Sequence, residues 1–452
     1  MKKHYFITVS VASCTSIKVD IIMKLTLLSI FLVFLSILGV FSENARFDNY
    51  RVYSIEVQSN IQLKILNELS ETSDSYNFWE VPTKVGVNAD LVVPPHQFAH
   101  FGEIVDKYNL TTNLIISNLQ EFIENESPKR QRKEEGDMNW DDYQSLETIY
   151  EWLGFLQRDF PQFISVEDIG LSYEGRPIKV VKLSKKQNAR AIFIEAQIHA
   201  REWIAGATVT YILNQLLYST NPDVQEMALN IDWYVVPNSN PDGYEYTRTS
   251  NRNWRKTRSP VSLICYGVDP NRNFAYNWLT PDEDGNLGAS KAPCSDTYAG
   301  PHPFSEKETL AIENYIAEIK DRLDVFLSFH SYAHQILYAW GHTKANVSNY
   351  EQLQAIGEAA ASRLMETDGI VYDVGTTRNI LYAASGISID HAYGHHGIPI
   401  TYTYEMRGSG TYGNYGFFLP PQFIIPNGVE VLQSLIGLVS KAREFGYLVN
   451  NL

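Results

Sequence analysis

The chain has 452 residues, more than one ordinary domain needs, so two folded units and a leader are expected. Hydrophobic residues make up 44% of the chain and charged residues 20%, as is usual for a soluble globular protein. The formal net charge of −15 argues against nucleic acids and anionic membranes as partners, because both require a cationic face. We interpret the acidity as a contribution to solubility.

Residues 1–42 are predicted to be a leader. Residues 25–41 are apolar apart from hydroxyl side chains, and they follow Lys24, as in a secretory signal peptide. At about 17 residues this run is at the short limit for a membrane span, so a signal anchor is the lesser alternative. Met23 directly precedes Lys24 and is the expected initiator. The sequence therefore predicts a secreted, extracellular protein without a membrane anchor.

Residues 43–124 are predicted to form a small α+β domain. Period-two and helical hydrophobic patterns predict strands at 50–58, 78–81, 90–93 and 110–116 and helices at 61–69 and 96–108. The resulting order, β-α-β-β-α-β, is that of a ferredoxin-like split βαβ unit. We expect this domain to have its own core.

Residues 125–137 are predicted to be an exposed linker. They contain no apolar residue and cluster four basic side chains at Lys129, Arg130, Arg132 and Lys133. A solvated run of charges is one interpretation. Proteases cut exposed polar linkers between folded units, so cleavage by a trypsin-like protease is the other.

Residues 138–452 are predicted to form the larger domain. Strand patterns at 191–198, 231–237, 323–329 and 398–404 alternate with helical patterns at 204–218, 306–319, 351–366 and 429–445. This alternation indicates an α/β fold with a mixed, mostly parallel β-sheet and helices on both faces.

Two histidines and a glutamate follow buried strands of this domain. His199 and Glu202 come after the strand at 191–198, and His330 comes after the strand at 323–329. Functional groups of open α/β sheets collect where strands end. Two histidines and a carboxylate, with water in the fourth position, are typical of catalytic zinc. The pattern predicts one zinc ion per chain.

A separate general base is required if Glu202 binds the metal. Glu405 at the end of a strand is the candidate, and a salt bridge from Glu405 to Arg407 is the alternative. Zinc lowers the pKa of its water, and a nearby carboxylate can then take the proton. Cationic runs at 251–258 and 269–273 supply guanidinium groups, which bind carboxylates bidentately and can stabilise an oxyanion.

Together these motifs resemble the pancreatic-type zinc metallocarboxypeptidases, the carboxypeptidase A/B family, from residue 140 to the end. The small N-terminal domain is similar to the activation propeptide of that family. The resemblance implies a carboxypeptidase-like fold and a proenzyme that a trypsin-like protease activates. We expect peptide and protein C-termini as substrates, and a monomer.

The resemblance also implies a role for each matching residue. By position, the zinc ligands are His199, Glu202 and His330, and the catalytic groups are the base Glu405 and the oxyanion-stabilising Arg255. The substrate-binding residues are Asn271 and Arg272 for the C-terminal carboxylate, the mobile Tyr382 that closes over it, and Arg201, Ser331 and Tyr332 in neighbouring subsites. It further implies a disulfide between Cys265 and Cys294, where spacing alone leaves two free thiols open.

Specificity in this family depends on the floor of the side-chain pocket. The matching floor residue is Ile389, with Gly341 on the wall. An apolar floor leaves a cationic side chain desolvated and unpaired, so aromatic and large aliphatic C-terminal residues are the predicted substrates. Two positions depart from the family pattern: Ile387 replaces a glycine and His391 replaces a tryptophan.

The expected function is zinc-dependent release of C-terminal residues in extracellular protein digestion. The alternative is a catalytically silent family member that binds peptide C-termini, which would lack a ligand, the base or the carboxylate clamp. All of these residues are present. Acceptor triplets for N-glycosylation occur at Asn109, Asn125 and Asn346 and weakly support secretion.

Overall fold

The computed structural model describes residues 44–72, 75–82, 84–126, 138–408 and 414–449. The predicted leader and the basic cleavage segment lie outside the described residues. Residues Ala45–Leu452 form one compact unit. A small N-terminal domain and a larger domain are both part of it.

The N-terminal domain is an antiparallel four-stranded sheet in the order β2-β3-β1-β4. Its elements are β1 (Arg51–Glu56), α1 (Asn60–Thr72), β2 (Asn77–Glu80), β3 (Asn88–Val93), α2 (Phe98–Tyr108), β4 (Thr111–Ile116) and α3 (Leu119–Glu126). The first six confirm the predicted β-α-β-β-α-β order. Helix α3 was not predicted, and the expected linker at 125–137 begins inside it.

The two faces of this small sheet are both apolar, for different reasons. Ile55, Leu91 and Phe78 belong to the core of the domain itself, together with residues of α1 and α2. Their strand neighbours Val92 and Trp79 point to the other face, since successive side chains alternate along a strand. That second face packs on aromatic residues of the larger domain.

The larger domain contains an eight-stranded sheet in the order β11-β10-β12-β9-β7-β8-β6-β5. Its strands are β5 (Ile164–Leu171), β6 (Pro177–Leu183), β7 (Ala191–Ala196), β8 (Asp232–Val236), β9 (Leu323–Ser331), β10 (Gln335–Tyr338), β11 (Asp373–Thr376) and β12 (Ile400–Met406). The central strands β8, β7, β9 and β12 are parallel, whereas β6 and β10 join them antiparallel. The predicted mixed, mostly parallel sheet is confirmed.

Helices cover both faces of this sheet. They are α4 (Leu146–Asp159), α5 (Trp203–Tyr218), α6 (Pro222–Asn230), α7 (Pro241–Thr249), α8 (Lys307–Ile319), α9 (Tyr350–Asp368), α10 (Thr377–Ile380), α11 (Ser388–Gly394) and α12 (Ile424–Glu444). Strand β7 shows why both faces are needed: Ile192 and Ile194 enter one core cluster, and Ala191 and Phe193 enter another. Burying each large apolar side chain contributes about 1.5 to 3 kcal/mol.

Helix α12 and the turn before it, residues Pro421–Glu444, are long and apolar enough to cross a membrane, and no other described helix is. Of the apolar 18-residue stretch of this helix, 67% is buried inside the protein. Packing in the core therefore accounts for its composition.

Candidate active site

The three predicted zinc ligands lie together and are buried. Nδ1 of His199 is 2.8 Å from Oε1 of Glu202, and Nδ1 of His330 is 2.9 Å from Oε2 of the same carboxylate. The two Nδ1 atoms are 3.0 Å apart. Two imidazole lone pairs and a carboxylate that converge in this way fit a divalent cation, which neutralises their mutual repulsion. The residues present therefore fit zinc.

The sheet register brings these side chains together. Strands β7 and β9 are adjacent and parallel, with Ala196 opposite Phe329, so both chains reach the same edge of the sheet. His330 is the second-last residue of β9, and His199 lies three residues after the end of β7. Glu202 precedes the first residue of α5. The loop between them is fixed by a backbone bond from Ala200 N to Arg255 O, 3.0 Å long.

The outward nitrogens of both histidines are also engaged. Nε2 of His199 is 3.1 Å from Oδ1 of Asp269, and Nε2 of His330 is 2.9 Å from Oγ of Ser328. Arg255 donates to the other Asp269 oxygen, from Nε at 3.1 Å and Nη2 at 3.0 Å. Burial opposes ionisation of Asp269, but Arg255 and His199 hold its pKa well below its usual range. Such partners fix the ring orientation and tautomer of metal-binding histidines.

Sequence analysis overlooked Asp269 and Ser328. Asp269 is the first residue of the cationic run at 269–273, where the pattern indicates guanidinium groups and no partner for a histidine. The sequence does place an aspartate directly before Pro270, a position from which a side chain can cap the following turn. One carboxylate oxygen that caps the turn can also bond to a histidine. In the structure Asp269 does both, accepting a hydrogen bond from the backbone N of Asn271 at 2.9 Å.

Glu405 lies beside the ligand group, on β12. The register pairs Glu405 with His330, so their Cα atoms are neighbours on adjacent parallel strands. Burial raises the pKa of Glu405 to about 7; the charge of Glu202 adds to this, and His330 opposes it. Arg407 is bound to Glu430 and Asp368 instead. The alternative salt bridge between Glu405 and Arg407 is therefore not formed.

Asn271 and Arg272 occupy a buried turn next to His330. Nδ2 of Asn271 is 3.3 Å from Nε2 of His330. Nη1 of Arg272 donates to the carbonyl of Asn271 at 2.7 Å, while its buried Nε has no hydrogen-bond partner among the described residues. The ring of Tyr382 lies 5.6 Å from the Arg272 guanidinium. A buried, unsatisfied guanidinium N–H is suited to receive an anionic ligand.

The pocket residues are apolar and the nearest acid is engaged. Ile389 is fully buried, and a side chain at Gly341 would meet Cδ1 of Ile387 at 2.6 Å. Asp390 accepts hydrogen bonds from the backbone N of Gly341 and His342 and from the His342 ring. Its carboxylate is therefore not available to a cationic side chain in the pocket.

Two of the remaining predicted subsite residues are linked to the N-terminal domain, Tyr332 directly and Arg201 through Asp296. Arg201 is bound to Asp296 at 3.2 Å, and Asn77 of β2 donates to the same carboxylate oxygen at 2.8 Å. Tyr332 donates its hydroxyl to Asp90 of β3 at 2.8 Å. Ser331 has a buried Oγ without a hydrogen-bond partner among the described residues. The N-terminal domain thus covers this side of the site.

Two further contacts hold that domain in place. Nε1 of Trp79 donates to Oδ1 of Asn253 at 3.1 Å, and its ring packs against Tyr332. Glu126, at the end of α3, is buried and accepts two hydrogen bonds from Arg252, at 2.5 and 2.6 Å. Neither contact was foreseen from the sequence, because the partners are more than a hundred residues apart.

Cys265 and Cys294 form a disulfide, with Cα atoms 5.0 Å apart, so the pairing expected from the resemblance is present. A family model described as zinc carboxypeptidase matches residues 149–434, and one described as carboxypeptidase activation peptide matches residues 53–126. The chain belongs to the zinc carboxypeptidase family.

Named relatives agree with this membership. The chain is similar to zinc carboxypeptidase A 1 of Anopheles gambiae, at 41% identity over 407 residues that cover 90% of this chain and 92% of the relative. It is also similar to carboxypeptidase B of Astacus astacus, at 44% identity over 301 residues, 66% of this chain and 96% of the relative. The crystal structure of carboxypeptidase A from Helicoverpa armigera superposes with a TM-score of 0.79, at 29% identity, over 88% of this chain and 98% of that one. This zinc carboxypeptidase therefore has an activation peptide domain before its catalytic domain.

Proposed function

We propose that this zinc carboxypeptidase removes aromatic and large aliphatic residues from peptide C-termini. The observation that supports the proposal best is the buried guanidinium of Arg272 beside the ligand group. A positive charge fixed near the scissile bond selects a free carboxylate, since leaving such a charge unpaired in a desolvated site is costly. Only the last residue of a chain presents that carboxylate.

In this proposal His199, Glu202 and His330 hold one zinc ion. When bound, zinc would polarise the scissile carbonyl and make water a better nucleophile at neutral pH. Glu405 would accept the proton of the attacking water and pass it to the leaving amine, a role suited to a carboxylate whose pKa is raised to about 7. Arg255, oriented by Asp269, would donate hydrogen bonds to the oxyanion.

The substrate preference rests on the pocket, not on the relatives. Relatives of similar identity are named carboxypeptidase A and carboxypeptidase B, so likeness alone does not decide between apolar and basic substrates. Ile389 offers no charge to a lysine or arginine side chain. Ile387 packs close to Gly341 and adds a further apolar surface to the pocket. Both favour apolar C-terminal residues.

The N-terminal domain would keep the proenzyme inactive until it is cut away. It bonds directly to Tyr332 and, through Asp296, is linked to Arg201. These two residues are the proposed subsites for residues before the scissile bond. We propose that a trypsin-like protease cleaves near Lys129 to Lys133. The leader-like segment at 1–42 and the disulfide support a secreted protein. We propose digestion of extracellular protein as its role. We propose that the activated enzyme acts as a monomer.

The test is a peptide panel on the trypsin-treated protein. The peptides differ only in their C-terminal residue, which is Phe, Leu, Lys, Arg or Glu, and a C-terminally amidated Phe peptide is the control. We expect the highest kcat/KM for Phe and Leu, no cleavage of the amide, and loss of activity with a chelator. Faster release of Lys or Arg would contradict the pocket assignment. No release of any residue would favour a silent member that binds peptide C-termini.

A further inference from the structure

A second group of histidines surrounds a glutamate where the end of α11 meets α8. Oε2 of Glu313 lies 2.7 Å from Nε2 of His391 and 2.8 Å from Nε2 of His396, and Oε1 lies 3.9 Å from Nε2 of His395. Ligand atoms of all four residues lie within 4.8 Å of one another. None of these residues belongs to the proposed catalytic machinery.

His391 has a different position from the other two rings. It is buried against the rings of Phe274 and Phe304, and its Nδ1 accepts a hydrogen bond from the backbone N of Tyr276 at 3.3 Å. Because Nδ1 is an acceptor, the ring proton resides on Nε2 and is donated to Glu313. His391 therefore orients the carboxylate.

The remaining three groups form a half-open set. The side chain of Glu313 is 15% exposed and that of His396 is 3% exposed, whereas that of His395 is 57% exposed. The inner two ligands are thus fixed by packing, and the third faces solvent, from which an ion can enter.

We infer that Glu313, His395 and His396 bind a second divalent transition-metal ion, with zinc as the favoured metal. Ligand atoms about 2 Å from a tetrahedral zinc lie about 3.3 Å from one another. Nε2 of His396 is 2.8 Å from Oε2 of Glu313, and Nε2 of His395 is 3.9 Å from Oε1. These distances lie on either side of about 3.3 Å, so only small side-chain shifts are needed. Imidazole and carboxylate together suit zinc, nickel and copper.

A purely hydrogen-bonded cluster explains less of this geometry. His391 and His396 both bond to Oε2 of Glu313, whereas His395 lies 3.9 Å from Oε1, too far for a hydrogen bond. The three ring centres are nonetheless 4.7, 5.1 and 4.8 Å apart. His391 is neutral, since its Nδ1 accepts a hydrogen bond. A metal would let the rings of His395 and His396 lie this close as neutral ligands.

A bound ion would join α8 to the end of α11. Helix α11 carries Ile389 of the proposed pocket near its start and His391 within it. The ion would therefore stabilise the folded catalytic domain behind the pocket, since a ligand that binds only the folded state raises Tm. It would not take part in the reaction.

The experiment counts zinc in the full-length secreted proenzyme, produced without a histidine tag. Protein dialysed against buffered zinc is analysed by mass spectrometry for metal content. Tm is recorded separately, on protein loaded with one equivalent of zinc per chain, before and after further zinc is added. We expect two zinc ions per chain in the wild type and one in H395A/H396A. H302A is the matched control and should retain two, since it removes an exposed ring that is hydrogen-bonded to the carbonyl of Pro303.

Added zinc should raise Tm of the wild type and of H302A, and should leave Tm of H395A/H396A unchanged. The single ion retained by H395A/H396A shows that this variant is folded, because the buried ligand group needs the intact sheet. One ion in the wild type, a second ion that survives H395A/H396A, or equal Tm responses of all three proteins would each overturn the inference.

Discussion

The two histidine–glutamate groups use the same side chains in different surroundings. The group at His199, Glu202 and His330 is at most 4% exposed and lies at the sheet edge beside Glu405 and the arginines. The group around Glu313 opens to solvent through His395 and is packed against aromatic rings. A metal-binding set alone therefore does not define an enzyme site. In the proposed function, the base Glu405 and the carboxylate clamp at Arg272 are what would distinguish the catalytic centre from the second group.

The largest expected effect separates the base from the ligands. E405Q should lower kcat about 10²- to 10⁴-fold on a C-terminal Phe peptide, because general base catalysis contributes about that much. Zinc content should not change. E351Q, on the exposed start of α9, is the control, and E313Q should reduce kcat far less than E405Q. The assignment would be falsified if E405Q retained wild-type kcat or lost its zinc.

A smaller effect tests the support of the catalytic ligands. D269N should weaken zinc binding about 10- to 100-fold, the usual cost of losing a partner that orients a metal-binding histidine. The measurement is zinc transfer to a competing chelator, followed by residual activity. At the second group, zinc binding should be unaffected by D269N. Equal weakening at both groups would indicate a general loss of structure and remove Asp269 from its proposed role.

The smallest effect compares two carboxylates of α8. Burial raises the pKa of Glu308 from 4.5 to about 7, whereas His391 and His396 overcome burial and lower the pKa of Glu313 to about 2. Because its pKa is raised on folding, Glu308 contributes stability that is fully present below pH 4.5 and is lost as the pH rises through 7. Because its pKa is lowered on folding, Glu313 contributes stability that is present above pH 4.5 and is lost as the pH falls towards 2.

At pH 8 and without added metal, E308Q should therefore raise the free energy of unfolding by about 1 to 2 kcal/mol, since glutamine can still accept the hydrogen bond from Tyr173. E313Q should lower it. Calorimetric Tm values at pH 8 and pH 5 provide the measurement, and the gain from E308Q should shrink at pH 5. Shifts of the same sign for both variants at pH 8 would show that their surroundings do not differ as described.

The sequence predicted those parts of the molecule that local pattern determines. Strands buried on both faces, such as β7 and β9, appear as continuous apolar runs, and their ends locate His199 and His330. The edge strand β5 was missed because its exposed residues interrupt the pattern. Asp269, Trp79 and Glu313 were missed because their roles depend on partners brought close only by the fold. His391 was noticed as a departure, but its partner is 78 residues away.

The ion pair between Glu126 and Arg252 sets the kinetics expected during activation. A cut at the basic segment would leave Glu126 on the released side and Arg252 on the other, still joined by two buried hydrogen bonds and by the Trp79 contact. Bond cleavage and the appearance of activity would then be separate events. Activity should then lag behind cleavage, and dilution should shorten the lag, because in the proposed activation the detached domain would dissociate and rebind as an inhibitor.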